Sequence, residues 1–198
     1  MFGLFKKKPQ VVEQPDKTSL IVPRIKHTNF LAAVRERIKN EDDLPITEPL
    51  VGDLIVTYAF DLPETFQMAR VRDIKGLGLS PEQLRATAVA NLAQQLGNIG
   101  RTGEPPLVNI VTGNNLEACV LLLDEFWQML AAKIPPEIVV GVPTRDTLLV
   151  TTSASTKGGV QLLRQAIQAT RTGDNTHWLT EHLLVRRADK WEVFMEAA

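Results

Sequence analysis

The tetrapeptide Pro143-Thr144-Arg145-Asp146 carries the best-placed pair of opposite charges in this 198-residue chain. An arginine there can hold a carboxylate or phosphate through its planar fork of donors. Asp146 could orient that guanidinium or act as a base. A local reading stands beside this one. Proline presets a turn, aspartate accepts backbone N–H bonds, and arginine is solvated or pairs with its neighbour. The second candidate is Thr152-Ser153-Ala154-Ser155-Thr156-Lys157-Gly158-Gly159. Hydroxyls, Lys157 and glycines before a helix start resemble a phosphate cradle. The glycine-to-lysine spacing is not that of a P-loop, and a capped helix start with a pliant approach explains the same residues. If Arg145 and Lys157 converge, the anion reading of both gains weight.

Other chemistry finds less support. His27, His177 and His182 have no i, i+4 partner, and the lone Cys119 cannot complete a thiolate set, so no metal site is expected. There is no G-x-S-x-G elbow, and Cys119 sits in an apolar run, as a buried inert thiol would. Asp61 and Glu64 share a turn; Asp124 and Glu125 are adjacent on a helix and point apart. Neither pair makes a glycosidase. No catalytic residue and no cofactor is therefore assigned. Arg186-Arg187 with Lys190 and Trp191 is the one basic-aromatic cluster, and Asp189 and Glu192 dilute it. A solvated hairpin edge explains it better than a nucleic-acid surface.

These residues need elements to position them. Two apolar runs, 138–142 and 148–150, flank the tetrapeptide and read as a hairpin at the centre of a sheet. A helix is expected from Asn29, with Phe30, Leu31, Val34 and Ile38 on one face. A linker is expected over 40–49, a strand over 54–60, a turn at 61–64 and a return strand over 65–71. Ser80-Pro81-Glu82-Gln83 is a capping-box helix start, and that helix should run through Leu84, Ala88, Leu92 and Leu96 to Gly97. A loop over 100–106 leads to a strand over 107–112. Length and spacing favour one long helix over 116–133, although its first part could be a strand, and Pro135-Pro136 should stop it. A helix with Val160, Leu163, Ile167 and Thr170 on one face should end at Gly173. A last hairpin, 182–187 with 191–194, turns around Ala188-Asp189-Lys190. The order α-ββ-α-β-α-ββ-α-ββ predicts an α+β fold with a mostly antiparallel sheet and helices packed on it.

Bulk properties bound the rest. The chain carries 22 basic and 23 acidic residues, a net charge of −1, which gives no global attraction to nucleic acid or acidic membranes. One cysteine excludes an internal disulfide. No apolar run reaches the 18 or so residues of a membrane span. Residues 1–19 read as a mobile tail and 20–198 as a single domain. Met1-Phe2-Gly3-Leu4-Phe5-Lys6-Lys7-Lys8 is a frayed end or a weak membrane contact. The expected location is the cytoplasm.

Four segments in this order resemble the YtpQ-like family of uncharacterised bacterial cytoplasmic proteins. They are Ile21-Val22-Pro23-Arg24-Ile25-Lys26; Tyr58-Ala59-Phe60-Asp61; Leu77-Gly78-Leu79-Ser80-Pro81-Glu82-Gln83-Leu84 with Ala88 and Asn91; and Val139-Val140-Gly141-Val142-Pro143-Thr144-Arg145-Asp146. The likeness covers about residues 20–196. It implies a bacterial intracellular protein and brings no catalytic residues. Two functions remain open: a non-enzymatic accessory protein with a protein partner, and a small enzyme or ligand-binding protein that grips an anion with Arg145 and Lys157.

Overall fold

The computed structural model describes residues 16–134, 137–171 and 177–195. The expected tail over 1–19, with its membrane-contacting residues Met1 to Lys8, lies outside the described residues as far as residue 15. Pro135-Pro136 and the helix end at Gly173 lie outside them too. The Asp16 carboxylate accepts from the Thr18 N–H at 3.0 Å and caps a short 3-10 helix, Lys17–Leu20.

The protein is α+β, as the sequence order predicts, with antiparallel sheets. The first sheet contains β1 (Ile21–His27), β2 (Thr47–Val51), β3 (Leu54–Leu62) and β4 (Thr65–Met68). β3 is central, with β1 on one side and β2 and β4 in succession on the other. Register pairs Ile21 with Phe60 and Ile25 with Val56, so these residues share one face with Leu54 and Tyr58. Arg24 and Lys26 leave β1 on the opposite face. Between β1 and β2 comes α1 (Asn29–Arg37), none of whose residues is buried.

Two further helices follow the first sheet. α2 (Val71–Leu77) occupies the end of the expected return strand. The Asp73 carboxylate accepts from both the backbone N–H and the side chain of Arg70, each at 3.0 Å, and Gly78 closes the helix at φ +67°. That capping wins over the strand pattern. α3 (Pro81–Leu96) starts on the capping box read from the sequence: Ser80 Oγ accepts from the Gln83 N–H, and Gln83 Oε1 accepts from the Ser80 N–H. Its buried Leu84, Ala88, Leu92 and Leu96 join the Ile21–Ile25 face in one apolar cluster.

The second sheet adds β5 (Gly100–Thr102), β6 (Val108–Val111), β7 (Ile138–Thr144), β8 (Thr147–Thr152), β9 (Leu183–Arg187) and β10 (Lys190–Val193). Their spatial order is β10-β9-β7-β8-β6-β5. The β7–β8 hairpin is interior, and Val139, Val140 and Val142 are fully buried. The main cluster spans both sheets, taking Val140, Leu148 and Val150 from the second. α5 (Gly159–Arg171) covers the other face, where Leu163 and Ile167 meet Val139, Leu183 and Val185.

Residues 116–133 are not one helix. Glu117–Leu122 is a 3-10 helix with every residue buried, and α4 (Asp124–Ala131) follows a break at Leu123, φ −91° and ψ +83°. An amphipathic surface helix keeps one face in water. Six successive buried residues therefore need a segment enclosed on all sides. Here Cys119 Sγ donates to Pro23 O on β1 at 3.4 Å, and Ala118 N donates to Arg145 O at 3.1 Å. The segment so ties the first sheet to the hairpin turn of the second. Two further strands correct the sequence reading. β2 begins inside the expected linker over 40–49 and runs past its end to Val51, and β5 lies in the expected loop; both are short, and β5 is an exposed edge. No helix among the described residues is long and apolar enough to cross a membrane.

Candidate functional site

The turn between β7 and β8 is held from two directions. Arg145 N donates to His177 O at 3.3 Å, and Arg145 O accepts from Ala118 N. Leu179 N donates to Pro143 O at 2.8 Å, and Thr144 bridges Trp178 in antiparallel fashion. This lattice sets Arg145 on the wall of a cavity of about 500 Å³. The end of β1 adds Lys26 and His27, the start of α1 adds Phe30, and the segment after α5 adds His177 and Trp178. That volume lies within the usual range for small-molecule sites.

The cavity is cationic. No carboxylate is among its described lining residues. Arg145 Nε is buried with no hydrogen-bond partner, and so is one terminal nitrogen of Arg24. Arg24 is itself almost wholly buried, with its guanidinium 4.2 Å from the Phe66 ring centre. Burial pushes the Lys26 ammonium below its ordinary pKa, and the Arg24 and Arg145 charges push it further. Burial lowers Arg24 as well, with Arg145 adding to the effect and Cys119 and Asp61 opposing it. Three cations thus crowd one region and destabilise one another. Buried N–H donors without acceptors are rare, so the one on Arg145, a residue of the cavity wall, marks a place that an acceptor would satisfy; Arg24 is not among the described lining residues.

His27 is oriented by its neighbours. Its Nδ1 accepts from the Asn29 N–H at 3.0 Å, so in the neutral ring Nε2 carries the proton, and Nε2 lies 3.3 Å from Asp53 Oδ2. Lys26 Nζ stands 5.6 Å from the Phe30 ring centre. The cavity therefore offers cations flanked by flat apolar walls from Phe30 and Trp178.

The sequence-derived candidates separate. Asp146 is exposed and accepts from Thr144 Oγ1 at 2.5 Å, so its carboxylate serves the turn and is not in the cavity wall. Lys157 lines a different cavity of about 310 Å³. Arg145 precedes β8 and Lys157 follows it. A six-residue strand spans about 20 Å, so the two cations do not converge. Sequence reasoning reached Arg145 but not Lys26, Phe30 or Trp178, and considered His27 and His177 only as metal ligands or as partners of a serine or cysteine nucleophile. A signal was there: Arg24 and Lys26 alternate with Pro23 and Ile25 in an apolar run, and two cations on one face of a buried strand call for a partner.

The remaining candidates have structural roles. Cys119 is fully buried, and burial pushes its thiol up despite the Arg24 charge. Among the described residues no group of three histidine, cysteine or acidic side chains could hold a metal ion. Arg186, Arg187 and Trp191 of the basic-aromatic cluster are spent internally. Arg186 pairs with Asp124 and Asp189, and Arg187 with Glu137 and Glu192. Trp191 Nε1 donates to Leu121 O at 2.9 Å, and its ring meets Trp127 edge-on at 4.9 Å.

The chain is similar to a UPF0354 protein of Listeria innocua, a member of an uncharacterised family. Identity is 25% over 148 residues, covering 70% of this chain and 51% of that protein. The chain spans about half the length of this curated relative. No protein-family model matches the chain, and no solved structure matches it.

Proposed function

We propose that this chain is a non-enzymatic cytoplasmic accessory protein of the YtpQ-like kind that works by binding an anionic group, carboxylate or phosphate, in the cavity around Arg145. One observation carries the reading: Arg145 Nε is buried and unpartnered on the wall of a cavity whose charged lining is cationic. A bound oxyanion would accept from that nitrogen and reduce the mutual repulsion of Arg145, Lys26 and Arg24. Phe30 and Trp178 give the anion's carbon frame an apolar surface to lie on. The roles divide accordingly: Arg145 holds the anion, Lys26 adds charge, and His177 supplies a further donor, while both nitrogens of His27 are engaged by Asn29 and Asp53.

Thermal unfolding with inorganic phosphate, phenyl phosphate and benzoate tests this. At a hundredfold excess over Kd, binding adds about 2.7 kcal/mol. For a chain of this size that raises Tm by about 5–10 °C. Arg145→Ala should fold and lose the response. An equal response in Arg145→Ala, or no response to any of the three anions, would overturn the proposal.

A further inference from the structure

The cavity that Lys157 lines differs in kind from the one around Arg145. Its floor is the core face of the second sheet. Val108 pairs with Val150 across β6 and β8, and Ile110 lies beside them on the same face. Ile110 and Val150 belong to the main core cluster, so the cavity is an opening into that core. Leu130, from the end of α4, forms a second wall. The polar groups come from two elements. Lys157, Thr156 and Ser155 approach from the loop before α5, and Arg101 comes from the edge strand β5. Arg101 sits opposite Ile110 in register, so it rises from the same sheet face as the apolar floor.

Charge decides the chemistry. Both charged side chains of the lining are cations, and no carboxylate lines the cavity among the described residues. Ser155 Oγ already accepts from the Gly159 N–H at 3.2 Å, which leaves its hydroxyl proton to donate outward. Size sets the length. A volume of about 310 Å³ takes about ten non-hydrogen atoms at about 30 Å³ each. An uncharged polar ligand would leave the apolar floor unmatched, and a purely apolar one would leave two cations without use.

We infer that this second cavity binds a medium-chain acyl group with an anionic head, the tail lying on Val108, Ile110 and Val150 and the head meeting Lys157 and Arg101. The site is separate from the Arg145 cavity, so either can fail alone.

The test follows amide shifts in the 15N-labelled full chain on titration with octanoate, octanol and inorganic phosphate. Octanoate should give saturable shifts at Val108, Ile110, Val150 and Thr152 and bind at least about tenfold more tightly than octanol. Lys157→Ala with Arg101→Ala should remove that tenfold preference and leave octanol binding unchanged. Both side chains are exposed, so the double variant should fold. Arg145→Ala should bind octanoate as the natural chain does. Equal binding of octanol and octanoate, a preference that survives loss of both cations, shifts centred on residues 177–179, or no saturable shift would each overturn the inference.

Discussion

The Thr151 hydroxyl oxygen occupies the place that a Cβ on Gly159 would need, since the two would lie only 2.0 Å apart. Gly159 opens α5, and Thr151 lies on β8 with almost no exposure. The contact lets the first turn of α5 sit flat on the second sheet. It thereby sets where the preceding loop, with Lys157, leaves the sheet.

Gly159→Ala should destabilise the protein by about 1–3 kcal/mol, the usual cost of overpacking a close-packed site. The backbone there is ordinary, so the effect would be steric. Thr151→Ala removes the clashing oxygen, although Ser155 Oγ remains 2.9 Å from the added atom. The double variant should therefore be more stable than the summed single effects by about 0.5 kcal/mol or more. Chemical denaturation of the four proteins checks it, and strict additivity would mean that Thr151 is not the obstacle.

What could be read from sequence follows the range of the forces involved. Ser80 with Gln83, and the apolar runs on either side of Pro143-Thr144-Arg145-Asp146, are local signals, and the structure carries both elements. β1 was legible only as the start of order near Leu20, because Pro23, Arg24 and Lys26 break its apolar pattern. β2 and β5 pair with the next strand along the chain, yet neither carries an apolar alternation: Glu48 and Pro49 interrupt β2, and β5 is the exposed three-residue run Gly100–Thr102. Glu117–Leu122 was ambiguous because complete burial erases periodicity. The site followed the same rule. Arg145 stood out on its turn, whereas Lys26 and Phe30 lie more than a hundred residues away and are brought to it by long-range contacts such as those of Ala118 and Cys119.

Lys26→Met should raise stability near neutral pH while weakening anion binding. The substitution keeps the aliphatic stem and removes a cation that burial, Arg24 and Arg145 all disfavour. The sign follows from linkage. The folded ammonium titrates below its unfolded value of 10.5, so its cost is full at low pH and disappears as pH rises through the folded value toward the unfolded one. The stability gap between Lys26→Met and the natural chain should therefore narrow as pH approaches 10.5. A gap constant from pH 7 to 10.5, measured by denaturation, would refute the crowding.

Val140→Asp should abolish folding. Val140 has no exposed surface and sits on β7, between β8 and β9. An unpaired carboxylate there costs several kcal/mol at least, against a total stability of about 5–15 kcal/mol. Far-ultraviolet dichroism would show an unfolded chain. In the natural protein the amides of Val139 and Val140 should be among the slowest to exchange with deuterium. A cooperative melt for the variant, or fast exchange at those amides, would mean that the hairpin is not the interior spine of the second sheet.

Tyr58 is the one tyrosine in the chain, so absorbance at the tyrosinate band reports on it alone. Its hydroxyl donates to Glu48 Oε1 at 2.7 Å, and Arg85 pairs with the same carboxylate. Burial first, and then the hydrogen bond to Glu48, push the phenol well above its ordinary value of 10.0. A raised folded pKa stabilises fully below the unfolded value, and that contribution is lost as pH rises beyond it. In alkaline titration no tyrosinate signal should therefore develop near pH 10 while the fold persists. It should appear together with loss of the dichroism signal, because unfolding exposes the phenol. Guanidinium-unfolded protein should titrate near 10. Tyr58→Phe leaves Glu48 to Arg85 alone and should lower stability by about 1 kcal/mol, the usual net value of one hydrogen bond. Tyrosinate formation near pH 10 in protein that still gives the native dichroism spectrum would show that the Tyr58–Glu48 bond does not hold in solution.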